Sequence, residues 1–188
     1  MKPTTYFDPV QTYGSANDTT DLCLLGILFN DARTIKGLIA AVRQLGTQSW
    51  HPTADVISIA LERLIKVGHV VSLQAGNDTY YSITGHGIKQ FFVLMKRPLG
   101  SGSMTTQNTL ALKSAFLEII PTRVQRQTIQ ELIDYYSCKL NCLKKDCENC
   151  FFYTTRQKLS QDQQINEIRT ELNWLQGLTH QLPSQSAH

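Results

Sequence analysis

The stretch Thr53 to Gly87, TADVISIALERLIKVGHVVSLQAGNDTYYSITGHG, changes its apolar period half-way along. Up to Lys66, the residues Ile57, Ala60, Leu61 and Leu64 recur at steps of three and four, which predicts an amphipathic helix. Thr53 is placed to cap that helix, Lys66 falls in its last turn, and Gly68 can end it. From His69 to Gln74 the period is two, with Val71 and Leu73 on one side. Ala75-Gly76-Asn77-Asp78 is turn chemistry, and Thr79 to Ile83 reads as the returning strand. Thr84 can cap a further helix carrying Ile88, Phe91, Phe92 and Met95, which Pro98 should end.

On the N-terminal side, Ile35, Leu38, Ile39, Val42 and Leu45 predict a helix from Thr34, closed by Gly46. Before it, Leu22 to Phe29 is a short apolar run that periodicity assigns to neither helix nor strand; Cys23 in it is expected in the core. Residues 1–20 read as a mobile polar arm. Helix, helix, helix and hairpin is the order of a winged helix–turn–helix. Beyond it, Leu99-Gly100-Ser101-Gly102-Ser103 reads as a linker. Leu110 to Ile120 predicts one helix, and Pro121 starts another that runs through Ile129, Leu132, Ile133 and Tyr136 until the cysteine segment interrupts it. Ile165, Ile168, Leu172, Leu175 and Leu182 form a heptad seam on a last helix.

The expected fold class is therefore mainly α with a small β-hairpin (α+β): an N-terminal winged helix–turn–helix followed by a helical dimerisation domain. The expected division is an arm at 1–20, a DNA-binding domain at 21–98, a linker at 99–106, and a dimerisation or sensor domain at 107–188 with a cysteine cluster at 138–150. The chain has 188 residues, 41% hydrophobic, with a formal net charge of +3, which excludes wholesale disorder. No apolar run approaches the ~18 residues that a membrane span needs. The N-terminus has no basic start and apolar stretch, so the expected location is cytoplasmic. Enzyme chemistry is not expected. No nucleotide loop, nucleophile–base pair or His/Glu zinc spacing occurs, and helical patterns, not a βαβ unit, surround Cys147 and Cys150.

Three motifs carry a family resemblance. Leu61-Glu62-Arg63-Leu64-Ile65-Lys66-Val67-Gly68 resembles the end of the recognition helix in the phenolic-acid-decarboxylase-repressor (PadR) family of bacterial transcriptional regulators. Tyr81-Ser82-Ile83-Thr84-Gly85-His86-Gly87 is similar to its strand-to-helix signature, and Gly37 to the glycine of its second helix. Glu171-Leu172-Asn173-Trp174-Leu175 resembles a pattern in the long last helix through which that family dimerises. The resemblance implies a homodimer on double-stranded DNA and a small aromatic effector held between the domains, for which Trp50 and Trp174 are wall candidates.

Between Thr20 and Arg97 there are eight basic and five acidic residues, but none of Ser72 to Ser82 is Lys or Arg. Arg33, Thr34 and Lys36, at the expected start of the second helix, are the candidate phosphate anchors. Thr53, Asp55 and Ser58 are the candidates for base edges.

The spacing Cys138-x3-Cys142-x4-Cys147-x2-Cys150 can bring four thiolates to one ion. Zinc and an iron–sulfur cluster fit equally, and a metal-free thiol switch is a third option. Lys139, Lys144 and Lys145 would offset the charge of such a centre, and Phe151, Phe152 and Tyr153 would cover it. The expected function is a sequence-specific, dimeric DNA-binding transcriptional regulator, redox- or metal-responsive through its four-cysteine centre. The alternative is a winged-helix protein–protein adaptor with structural zinc.

Overall fold

A computed structural model describes residues 16–45, 50–99, 104–149 and 154–182. Helix α1 (Ala16–Asn30) is followed by strand β1 (Arg33–Thr34), α2 (Ile35–Leu45), α3 (Ala54–Lys66), β2 (Val70–Ala75), β3 (Asp78–Ile83) and α4 (Gly85–Lys96). Then come α5 (Met104–Ala115), a 3-10 turn (Leu117–Ile119), α6 (Thr122–Asn149) and α7 (Thr155–Gln181). The expected mainly α architecture with a winged helix at its N-terminal end is what forms.

The ambiguous apolar run is a helix. Leu22, Cys23, Leu24, Leu25, Ile27 and Leu28 are all buried, because α1 is the axle against which α2, α3, α4 and α5 pack. A helix covered on every side shows no amphipathic period, so its residues could not announce it. It also starts earlier than Asp21: residues 16–20, expected in the arm, are helical, with Thr19 and Thr20 buried. Residues 1–15, Gly46 and residues 100–103 of the expected linker lie outside the described residues, and Met104 to Thr106 belong to α5.

The wing has three strands in the order β1-β3-β2, not the two of a hairpin. Arg33 pairs with Tyr81 and Thr34 with Tyr80, while β2 and β3 pair from Val70↔Ile83 to Ala75↔Asp78. Gly76 takes the positive φ (+63°) at the tip. Of strand β2 only Val70 is buried; Val71 and Leu73, expected on one side of the strand, are exposed.

One polar cluster joins α3, the wing and α4. The Thr84 amide donates to the His69 carbonyl (2.9 Å), and the Thr84 hydroxyl donates to the Gly68 carbonyl (2.7 Å). The same hydroxyl oxygen accepts from the Gly87 amide (3.0 Å), so the expected helix cap forms. Gly87 packs so closely on the His69 carbonyl that an added Cβ would overlap it.

The C-terminal half shares the core of the winged half. Leu110, Leu112, Phe116, Leu117, Ile129, Leu132 and Leu175 belong to the same buried cluster as α1, so the core is continuous past the expected boundary near residue 100. Phe29, Phe91, Phe92 and Phe116 meet within it at centroid distances of 5.4–5.7 Å. Lys113 of α5 is fully buried, donating to the Arg97 carbonyl (2.6 Å) and to Glu131 Oε2 (3.0 Å) on α6. Burial pulls its pKa below the ordinary lysine value, and Glu131 opposes that. Thr128 of α6 adds a bond to the Met95 carbonyl (3.2 Å).

The heptad seam of α7 faces α6 of the same chain: Ile165, Ile168, Leu172 and Leu175 are buried, and Gln161 donates to the Leu143 carbonyl (3.0 Å). The helix expected to stop at the cysteine segment instead continues to Asn149. That stretch has neither Gly nor Pro, and its Lys, Leu and Glu are good helix formers.

Gly87→Ala is expected to cost about 3 kcal/mol or more in urea unfolding, because backbone would have to move. Gly85→Ala, into open space two residues away, should change stability by less than ~0.5 kcal/mol.

Alkaline pH gives a second check. Burial pushes the Cys23 thiol from 9.0 up to about 12. Burial, then Glu171 and Tyr135, pushes Tyr136 from 10.0 to about 12. Both groups keep their protons in the folded chain after the unfolded chain has lost them. Their contribution is full below pH 9 and is lost as pH rises through 9–12. The urea midpoint should therefore fall over this range, and fall less in Cys23→Ala/Tyr136→Phe.

Candidate nucleic-acid interface

Helix α3 turns Ile57, Ala60, Leu61 and Leu64 into the core, which leaves Asp55, Val56, Ile59, Glu62 and Lys66 exposed along its outer side. Its C-terminal part is held at two places. At its C-terminal end the Gly68 amide donates to the Ile65 carbonyl, with Gly68 at φ +76°, and the His69 amide donates to the Leu64 carbonyl. In its last turn, Arg63 forms an ion pair with Asp21 on α1. Burial raises the Asp21 pKa and Arg63 counters it, and the ion pair ties α3 to α1.

The sequence-predicted residues divide. Thr53 occupies the N-cap position but its side chain makes no cap hydrogen bond, contrary to expectation; it is exposed beside Asp55. Ser58 is half-buried, set back from the outer face. Arg33 does not start α2. It lies in β1, with its tip 3.8 Å from Asp31 and its Nε buried without a hydrogen-bond partner. Thr34 is the cap of α2, accepting from the Gly37 amide (3.2 Å). Lys36 is exposed in the first turn of α2, where the helix dipole favours an anion. Sequence reasoning missed Val56 and Ile59, which are 45% and 62% exposed. The available signal was their position off the core stripe.

Of the four cysteines, Cys138 and Cys142 are exposed, one turn apart on α6. Position 147 is within the helix, but its side chain, Cys150, and Phe151 to Tyr153 lie outside the described residues. Among the described residues, no three His, Cys, Asp or Glu side chains gather as a metal site. Backbone helix through Asn149 puts positions 138 and 147 on opposite sides of the helix axis, about half a turn apart.

A cavity of about 260 Å³ lies between α5, α6 and α7, lined by Gln107, Leu110, Ala111, Ser114, Tyr136, Lys139 and Glu171. Neither expected tryptophan lines it. Trp50 is half-buried against the core, and Trp174 is 42% exposed on α7. No helix among the described residues is long and apolar enough to cross a membrane.

This architecture, three helices and a three-stranded wing packed on a helical hairpin, defines a winged-helix regulator class. Residues 12–179 match the family described as "Putative AphA-like transcriptional regulator", and the chain belongs to that family. Solved structures similar to it include Bacillus subtilis PadR with p-coumaric acid (13% identity, 90% of this chain and 98% of that one, TM-score 0.42). Others are Bacillus subtilis PadR with operator DNA (14%, 87% and 98%, TM-score 0.39) and a PadR-like regulator of Bacillus cereus (15%, 87% and 97%, TM-score 0.39). No curated protein matches the chain. The winged-helix regulator expected from the Leu61–Gly68 and Tyr81–Gly87 motifs is thus what fold and family establish.

Proposed function

We propose that this chain is a sequence-specific DNA-binding transcriptional regulator acting as a homodimer, with α3 in the major groove. The observation that carries the reading is the open outer face of α3, with Lys36 exposed at the N-terminus of α2. Thr53 and Asp55 remain base-edge candidates. Arg33 and Lys36 remain phosphate anchors, while Thr34 acts through its cap. Dimerisation is favoured because one winged domain covers too little duplex for a selective operator. Exposed Leu159 and Trp174 offer apolar contacts for it on α7.

A small aromatic acid is the proposed effector. Lys139 would meet its carboxylate in the cavity beside Tyr136 and Leu110. The cysteine segment is proposed as a metal or redox centre, zinc or iron–sulfur, because exposed thiols one turn apart suit two ligands of one soft ion. Engaging all four would unwind the last turns of α6. The adaptor reading keeps one supporting observation: the wing exposes Val71 and Leu73 and carries no Lys or Arg from Ser72 to Ser82.

Electrophoretic shift of genomic fragments should show binding that weakens steeply with salt. Arg33→Ala/Lys36→Ala should weaken it about tenfold or more at roughly 150 mM salt and flatten the salt slope by about two per protomer. Binding unchanged by the pair removes the anchors, and no shift at all favours the adaptor. For the cysteines, anaerobic purification should give one metal centre per chain, lost in Cys138→Ser/Cys142→Ser. A brown absorbance selects iron–sulfur, colourless stoichiometric zinc the brace, and neither removes the centre.

A further inference from the structure

Two exposed apolar side chains stand where a DNA reader would be expected to carry polar ones. Val56 and Ile59 are three residues apart, neighbours on the outer face of α3, opposite its buried stripe. Core packing does not require them, because Ile57, Ala60, Leu61 and Leu64 already supply it. The rest of that face is equally specific. From Thr53 to Glu62 it has no Arg, Lys, Asn or Gln, and its charged groups are the carboxylates of Asp55 and Glu62.

Each base pair offers a distinct edge in the major groove. Guanine presents two acceptors, which need a donor fork; cytosine and adenine present an amino donor; thymine alone presents a methyl group. Carboxylates repel guanine's acceptors and accept from amino groups. Exposed Val and Ile can gain only from the methyl. Charge along the helix fits the same occupant. Lys66 lies seven residues beyond Ile59, two turns on and at nearly the same angle round the axis, ~10 Å away. That separation takes its ammonium from the base edges towards the phosphates bounding a groove ~12 Å wide.

We propose that Val56 and Ile59 are specificity-determining residues that read thymine 5-methyl groups, with Asp55 and Glu62 excluding guanine from the strand that they face. The inference rests on the DNA-binding reading above and names the sequence class that it selects: half-site cores with thymine, adenine or cytosine, and no guanine, on the strand that α3 faces.

The test is selection of duplexes from a random pool by the full chain, followed by remaking the winners with deoxyuridine in place of thymidine, one position at a time. This removes a methyl and nothing else. At one or two positions per half-site, wild-type affinity should fall about fourfold, the factor that one buried methyl's transfer energy gives. Ile59→Ala and Val56→Ala, both surface changes that leave folding intact, should bind the thymine and uracil versions equally at their own position. Selected duplexes that bind without methyl dependence, or a dependence that survives both variants, overturn this inference and leave DNA binding standing. A pool that yields no binding duplex overturns both, and points this apolar face at a protein.

Discussion

The carbonyl of His69 is the point on which the reading head depends. The Thr84 amide bonds to it, Gly87 packs flat on it, and the Thr84 hydroxyl takes the neighbouring Gly68 carbonyl. Three elements meet there: the end of α3, the base of the wing and the start of α4. With a side chain at position 87, α4 could not approach, and neither α3 nor β3 would have a fixed angle to the core. The lock explains why a turn of Gly68-His69 and a cap of Thr84 with Gly87 occur together. Neither has a hydrophobic payload, yet between them they join α3, the wing and α4.

Around that lock the molecule is built as one continuous core. Lys113 is the polar counterpart of the Phe29–Phe91–Phe92–Phe116 cluster: buried between α4 and α6, it ties the last carbonyl of the winged half to Glu131. A displacement of α6 would reach Arg97 and α4 directly through this lysine and through Thr128. In the proposed function, that is the physical link by which an event at the cysteines or in the α5–α6–α7 cavity would reach the reading head. In the proposed dimer, two α3 helices would have to match half-sites spaced by a helical turn, so a shift of a few ångström would suffice.

Much of this is legible in the residues. The stripe Ile57–Leu64, the Gly76 turn and the Thr84 cap each have a local cause, and each forms where the pattern places it. What is not legible has causes outside local pattern. Helix α1 is apolar all round because it is enclosed. β1 is two residues long, and two residues have no period. Lys113 is buried by tertiary pairing against the habit of lysine. α6 continues past Cys138 because a cysteine and lysine segment is compatible with helix, although its spacing also suggests a ligand loop. At the site, Lys36 is readable as an exposed charge. Arg33 reads as the start of a helix but lies in a strand, and Thr53 reads as a cap whose bond does not form. Val56 and Ile59 escape notice because pattern reading assigns apolar residues to the core.

The outer side of α3, with the start of α2, is the face proposed to meet DNA. Titration of the isotope-labelled chain with a bound duplex, followed by backbone amide resonances, tests it most directly. Amides of β1, the first turn of α2, and Thr53 to Glu62 should shift most. Shifts confined to α5, α6 and α7, with α3 unmoved, would contradict it.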